Sequence, residues 1–184
     1  MIIRHAFPED ISLCAEMDAT VDSDQVWQMD ERSVGSELLL VFRQARLPRP
    51  VRVPYPRDLE RLPQMVQGAG CFLVASEGAE ILGFIYVQVE PAETVGWVRH
   101  LVVARTHRRQ GIGTRLVQVS ADWGRRAGLR RLLLETSTKN HAGLSFCQRL
   151  GSTFCGYNDQ LYGSLGIAVF FAYPLGSAVA FDER

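Results

Sequence analysis

The chain has no CxxC pair; its four cysteines, Cys14, Cys71, Cys147 and Cys155, are scattered. Such spacing offers neither a redox couple nor a zinc knuckle and fits reduced thiols. No cluster of histidine, cysteine and carboxylate residues has metal-ligand spacing, and no Ser-His-Asp pattern is present, so no metal site is expected. Apolar runs long enough to cross a bilayer are missing, and the opening residues "MIIRHAFPED" lack the apolar stretch of a secretion signal. These absences lead to the expectation of a soluble, cytoplasmic protein. Net charge is absent too: 20 basic residues balance 20 acidic ones, which argues against nucleic acid or membrane as a bulk electrostatic partner. The chain shows no repeat and no low-complexity segment.

What is present suits one folded unit. With 184 residues, 47% hydrophobic and 22% charged, the chain is expected to form a single domain over 1–184. Its bases are unevenly placed, gathering at Arg43–Arg61, Arg99–Arg115 and Arg125–Arg131, which leaves room for a local anion site.

Along the chain, "MIIRHAF" reads as a short strand, and Pro8 and Asp10 open a helical pattern with Ile11, Leu13, Cys14 and Met17. Ser33–Arg46 reads as a second helix, with Leu38, Leu39, Val41 and Phe42 on its apolar face. "LPRPVRVPYPRDLERL" holds too many prolines for an interior strand or regular helix and reads as an extended edge and loop with solvated charges. "CFLVAS" and "ILGFIYVQVE" form a hairpin around Glu77–Glu80. Pro91–Thr94 breaks the chain before the strand "GWVRHLVV". Thr114–Ala127 is an amphipathic helix stopped near Gly128. "RRLLLET" is a strand, Ala142–Leu150 a helix stopped at Gly151, and "STFCGY" and "GIAVFFAYPL" are the last strands. The expected class is α/β (α+β), a mixed sheet with helices on its faces.

The stretch "LVVARTHRRQGIGTRL" concentrates the chemistry. A strand ends at Val103, a basic turn follows, and Gly111 and Gly113 lead into a helix. Glycines let backbone approach an anion closely, and the first helical N–H groups have no intrahelical partner. The helix dipole and Arg108 and Arg109 add positive charge, which makes a pyrophosphate seat. A nucleotide P-loop is excluded, because no Lys-Ser/Thr follows the glycines. The glycine spacing does not fit a Rossmann turn either.

"RRQGIG", the preceding "HLVV", and the following "LLLET" and "NHAGLSFCQRLG" together resemble the GCN5-related N-acetyltransferases, over roughly Cys71 to Leu175. That resemblance implies a mostly antiparallel central sheet, splayed in the middle, and acetyl-coenzyme A as co-substrate. It implies that pantetheine pairs with the backbone of the Leu101, Val102 and Val103 strand. It also implies a pyrophosphate held across Arg108, Arg109, Gln110, Gly111, Ile112, Gly113 and Thr114, with Asn140 and Phe146 completing the coenzyme site.

Attack on a thioester needs a neutral amine and benefits from an acid at the leaving sulfur. Glu135, ending "LLLET", matches the glutamate that some members of the family use as base, and Glu90 is the second candidate. The structural alternative for Glu135 is pairing with a nearby arginine. His100 alternates with Arg99 along its strand and is expected in the core. Where many members place an acid tyrosine, this sequence has Cys147, which is either the proton donor or packing; Tyr157 and Tyr162 are the other donors considered.

The tail "FCGYNDQLYG…IAVFFAYPL" resembles streptothricin acetyltransferases, which implies an amine of a small molecule as acceptor. A protein amino terminus is the second reading, and a non-catalytic acyl-coenzyme A binding module the third. Trp27, Tyr55, Trp97, Tyr157 and Tyr162 are candidates to line the acceptor cleft. Asp22, Asp24, Asp30 and Glu31 are expected in a helix–helix loop able to hold a cationic amine. Beyond the coenzyme and the amine, a homodimer is considered.

Overall fold

The computed structural model describes residues 1–66, 70–89 and 94–176. A seven-stranded sheet runs in the order β1-β4-β5-β6-β7-β9-β8. Its strands are β1 (Ile2–His5), β4 (Gly70–Glu77), β5 (Glu80–Val89), β6 (Val95–Val103), β7 (Arg131–Ser137), β8 (Thr153–Asn158) and β9 (Ala168–Pro174). Every neighbouring pair is antiparallel except β6 and β7.

Residues of β4 show why both faces of the sheet are covered. Successive side chains point to opposite faces. Cys71, Leu73 and Ala75 join a core with Leu116, Val117 and Ala121 of α3 (Ile112–Arg126) and Leu144 of α4 (His141–Arg149). Phe72 and Val74 join a second core with Cys14 of α1 (Pro8–Ala15) and Leu62 of α2 (Leu62–Met65). The α3 stripe of Ile112, Leu116, Val117, Ser120, Ala121 and Gly124 has the helical period anticipated for it. All four cysteines are free, and Cys14, Cys71 and Cys147 are buried. Among the described residues no helix is long and apolar enough to cross a membrane.

The splay is visible in the register. Strands β6 and β7 pair from Val95↔Arg131 only as far as Val98↔Leu134. Beyond that point the ends carrying Leu101–Val103 and Glu135–Ser137 separate, which opens a gap in the middle of the sheet.

One expectation fails. Ser33–Arg46 is not a helix: β2 (Val21–Val34) and β3 (Glu37–Val53) form a long antiparallel hairpin. Asp22, Asp24, Asp30 and Glu31 therefore lie on a strand, not in a helix–helix loop. Gly35, with φ of 61°, and Ser36 make a two-residue turn pairing Val34 with Glu37, and Gly-Ser is a hairpin signal. Val41 and Phe42 also favour a strand. The continuous run Leu38–Phe42 hid this, because it has no alternation to distinguish strand from helix.

Candidate active site

The gap between β6 and β7 leads into a cavity of about 440 Å³. One wall is the start of α3. Arg109 has φ of 65° and Gly111 φ of 81°, so the turn before the helix curls through left-handed conformations. Gly111 is the N-cap and has no side-chain cap, and the first intrahelical bond runs from Arg115 N–H to Gly111 C=O at 3.0 Å. The N–H groups of Ile112, Gly113 and Thr114 thus have no intrahelical partner and face the cavity end with the dipole behind them. A side chain at Gly111 would project into open space, as a cradle for a bulky anion requires. At Gly113 an added Cβ would lie 3.4 Å from the Phe146 ring, in ordinary contact, so only side chains larger than alanine's would crowd that wall.

The cavity is lined by eleven of the residues expected to hold coenzyme, namely Leu101, Val102, Val103, Arg108, Arg109, Gly111, Ile112, Gly113, Thr114, Asn140 and Phe146. Gln110 does not line it; its amide donates to the Thr106 carbonyl at 3.4 Å. Arg108 is less a phosphate ligand than a staple, donating to the carbonyls of Val103 at 2.9 Å, Thr20 at 2.7 Å and Asp18 at 3.1 Å. Asn140 caps α4, its Oδ1 accepting from Gly143 N–H at 2.9 Å. Thr136 Oγ1, on the cavity wall, is buried without a hydrogen-bond partner. A buried hydroxyl in that position is a ready contact for a polar ligand.

At the other end of the same cavity stands Glu135, its side chain 5% exposed. Arg57 Nη2 donates to Oε1 at 2.6 Å and to Oε2 at 2.8 Å. The Tyr162 hydroxyl donates to Oε1 as well. Burial, and then the charge of Glu135, raise the Tyr162 pKa, so this phenol keeps its proton. Tyr55 lies beside this group; its hydroxyl is 3.3 Å from His100 Nδ1. His100 is in the core, as alternation indicated, and burial, then the charges of Arg57 and Arg99, lower its pKa to about 4.

Cys147 also reaches the cavity, although 3% exposed and packed in the α3–α4 core. Burial pushes its thiol up to about 12. Tyr157 is not brought in: its hydroxyl bonds Glu31 at 3.0 Å and its ring meets Phe42 of the hairpin. Glu90 lies outside the described residues. Of the five aromatics considered for the cleft, Tyr55 and Tyr162 line the cavity. Trp27 packs on Phe42 and Phe171, and Trp97 on Phe170. Of the acids on β2, Asp30 is engaged with Arg43 at 2.9 Å, Asp22 with Arg105 and Glu31 with Tyr157.

Sequence reasoning missed Arg57, whose segment reads as a solvated proline-rich loop. Pro54 and Pro56 keep that segment extended and carry Tyr55 and Arg57 back across the cavity mouth. The alternating "PYP" is the only local hint of a rigid arm.

The model of the Acetyltransferase (GNAT) family matches residues 37–152. The chain belongs to this family. It is 40% identical over 67 residues to N-alpha-acetyltransferase 30 of Schizosaccharomyces pombe, covering 36% of this chain and 43% of that protein. With the streptothricin acetyltransferase of Streptomyces lavendulae it shares 30% over 91 residues, 50% of this chain and 48% of the other. The matches thus span less than half the length of these two relatives. In fold it is similar to a Bacillus anthracis protein assigned as a streptothricin acetyltransferase and solved with acetyl coenzyme A. There the TM-score is 0.75 at 17% identity, over 94% of this chain and 98% of that one.

Proposed function

We propose that the protein transfers an acetyl group from acetyl-coenzyme A to a primary amine of a small molecule, by direct attack in a ternary complex. The observation that carries this reading is the continuity of one cavity from the bare N-terminus of α3 to Glu135. Backbone N–H groups across Arg109–Thr114 bind the pyrophosphate, and the separated ends of β6 and β7 admit the pantetheine arm. Acetyl-coenzyme A supplies the acyl group as an activated thioester. Among the described residues Glu135 Oε2 accepts from Arg57 only, which leaves a lone pair to take the amine proton. Of the donors considered for the departing sulfur, Tyr162 Oη–H and Cys147 Sγ–H line the cavity. To serve, Tyr162 would turn its proton from Glu135 to the sulfur, and the packed setting of Cys147 favours a space-filling role.

The similarity to N-alpha-acetyltransferase 30 supports a second reading, with a peptide amino terminus as acceptor. Turnover separates the readings. The protein is incubated with acetyl-coenzyme A and panels of small amines, antibiotics bearing amines, and peptides, and free thiol is followed. Small amines are expected to be acetylated, and Glu135→Gln to lower that rate about 10²–10⁴-fold. Turnover of peptides alone establishes the second reading. Coenzyme binding with no turnover of any acceptor means a non-catalytic binding module.

A further inference from the structure

The β2–β3 hairpin leaves an edge and an apolar run without cover. Among the described residues β3 has a single sheet neighbour, β2. Leu38, Leu39, Leu40 and Val41 are 60%, 42%, 39% and 37% exposed. Neighbouring strand residues face opposite ways, so both faces of this arm stay partly open up to Phe42, which packs on Trp27, Phe154 and Tyr157. Natural edges are blunted by charge, proline or a bulge. None stands between Leu38 and Phe42, and the prolines at 48 and 50 come only beyond it.

We propose that β3 pairs along this edge with β3 of a second copy of the chain, joining two hairpins into a four-stranded antiparallel sheet. The register follows from the turn. In a two-residue hairpin, the residues flanking the turn, Val34 and Glu37, exchange hydrogen bonds. Hydrogen-bonding direction alternates along a strand, so the N–H and C=O groups of Leu38, Leu40 and Phe42 point away from β2. Two such edges related by a two-fold axis meet with Leu40 opposite its own copy and Leu38 opposite Phe42. The intervening pairs are Leu39 with Val41 and Glu37 with Arg43. Every apolar residue then meets an apolar residue, and the one acid meets a base. Shifting the register by one step towards the prolines sets Leu39 against Arg43 and Glu37 against Ala45, losing both matches. Arg43 already bonds Asp30, but its side chain is 60% exposed and its guanidinium has further donors for a second carboxylate. This self-complementarity is what an isologous two-fold interface requires. It selects a copy of the chain over an unrelated partner.

The pairing is tested by sedimentation velocity over a range of concentrations and by cysteine cross-linking. A dimer is expected for the wild type, and a monomer for Leu40→Lys, which sets two ammonium groups face to face on the axis. The melting temperature of the Leu40→Lys monomer reports whether its fold survives. In a Cys155→Ser background, Leu40→Cys should form an intermolecular disulfide on oxidation, because directly opposed, hydrogen-bonded residues lie about 5.5 Å apart. Val34→Cys, far from the axis, should not. A wild type that is monomeric at every concentration overturns the proposal. So does a dimer that survives Leu40→Lys, or cross-linking through Val34→Cys as readily as through Leu40→Cys.

Discussion

Glu135 carries its two oxygens in unlike surroundings, and the difference bears on its role. Oε1 accepts from both Arg57 and Tyr162, whereas among the described residues Oε2 accepts from Arg57 only. Arg57 thus fixes the carboxylate from one side, and in the proposed reaction it acts as a positioning residue for Glu135. Behind this group, His100 makes a separate contribution that pH exposes. Its pKa is about 4 in the fold against an ordinary 6.5, because burial comes first and the charges of Arg57 and Arg99 add to it. The unfolded chain therefore binds the proton more readily between those values. Stability attached to the neutral imidazole is complete above pH 6.5 and is lost as pH falls towards 4, at up to about 1.4 kcal/mol per pH unit. Melting curves against pH should show that slope in the wild type and a shallower one in His100→Gln. Equal slopes would mean that His100 titrates normally in the folded protein.

At the level of elements, α3 and its entry turn are the parts the chain announces most openly. Apolar spacing, Gly111 and Gly113, and the adjoining arginines are all local, so sequence alone located the helix start and the glycine turn before it. Its use should be sensitive to bulk: Gly113→Val sets a branched side chain between Phe146 and the anion path. Losing about one or two charge-assisted hydrogen bonds, each worth about 1.5–3 kcal/mol, lowers acetyl-coenzyme A affinity by tenfold or more. Calorimetry on the folded variant checks this, and unchanged affinity would move the pyrophosphate elsewhere. The hairpin was illegible for a physical reason. Leu38–Phe42 is apolar on both faces, so its pattern carries no period; only the Gly-Ser turn, with the strand preferences of Val41 and Phe42, betrays it.

Across the whole molecule, legibility follows distance along the chain. Strands β4 to β9 and the helices between them repeat short patterns, and each was readable from its own residues. The Glu135 cluster was not. Arg57 is 78 positions away from Glu135 and Tyr162 is 27 away, so no local pattern links them until the sheet brings the three together. Sequence named Glu135 and Tyr162 separately and left Arg57 in a solvated loop. Resemblance singled out Glu135 as a candidate base, and the fold shows it paired with Arg57, the arginine pairing considered as its structural alternative. In the proposed reaction this cavity seats acetyl-coenzyme A with its thioester beside Glu135. A crystal structure of the protein with acetyl-coenzyme A bound tests it most directly. The pyrophosphate is predicted over residues 109–114, and the thioester within reach of Glu135 Oε2 in the gap between β6 and β7. Coenzyme bound away from that helix start, or with its thioester remote from Glu135, would contradict the account.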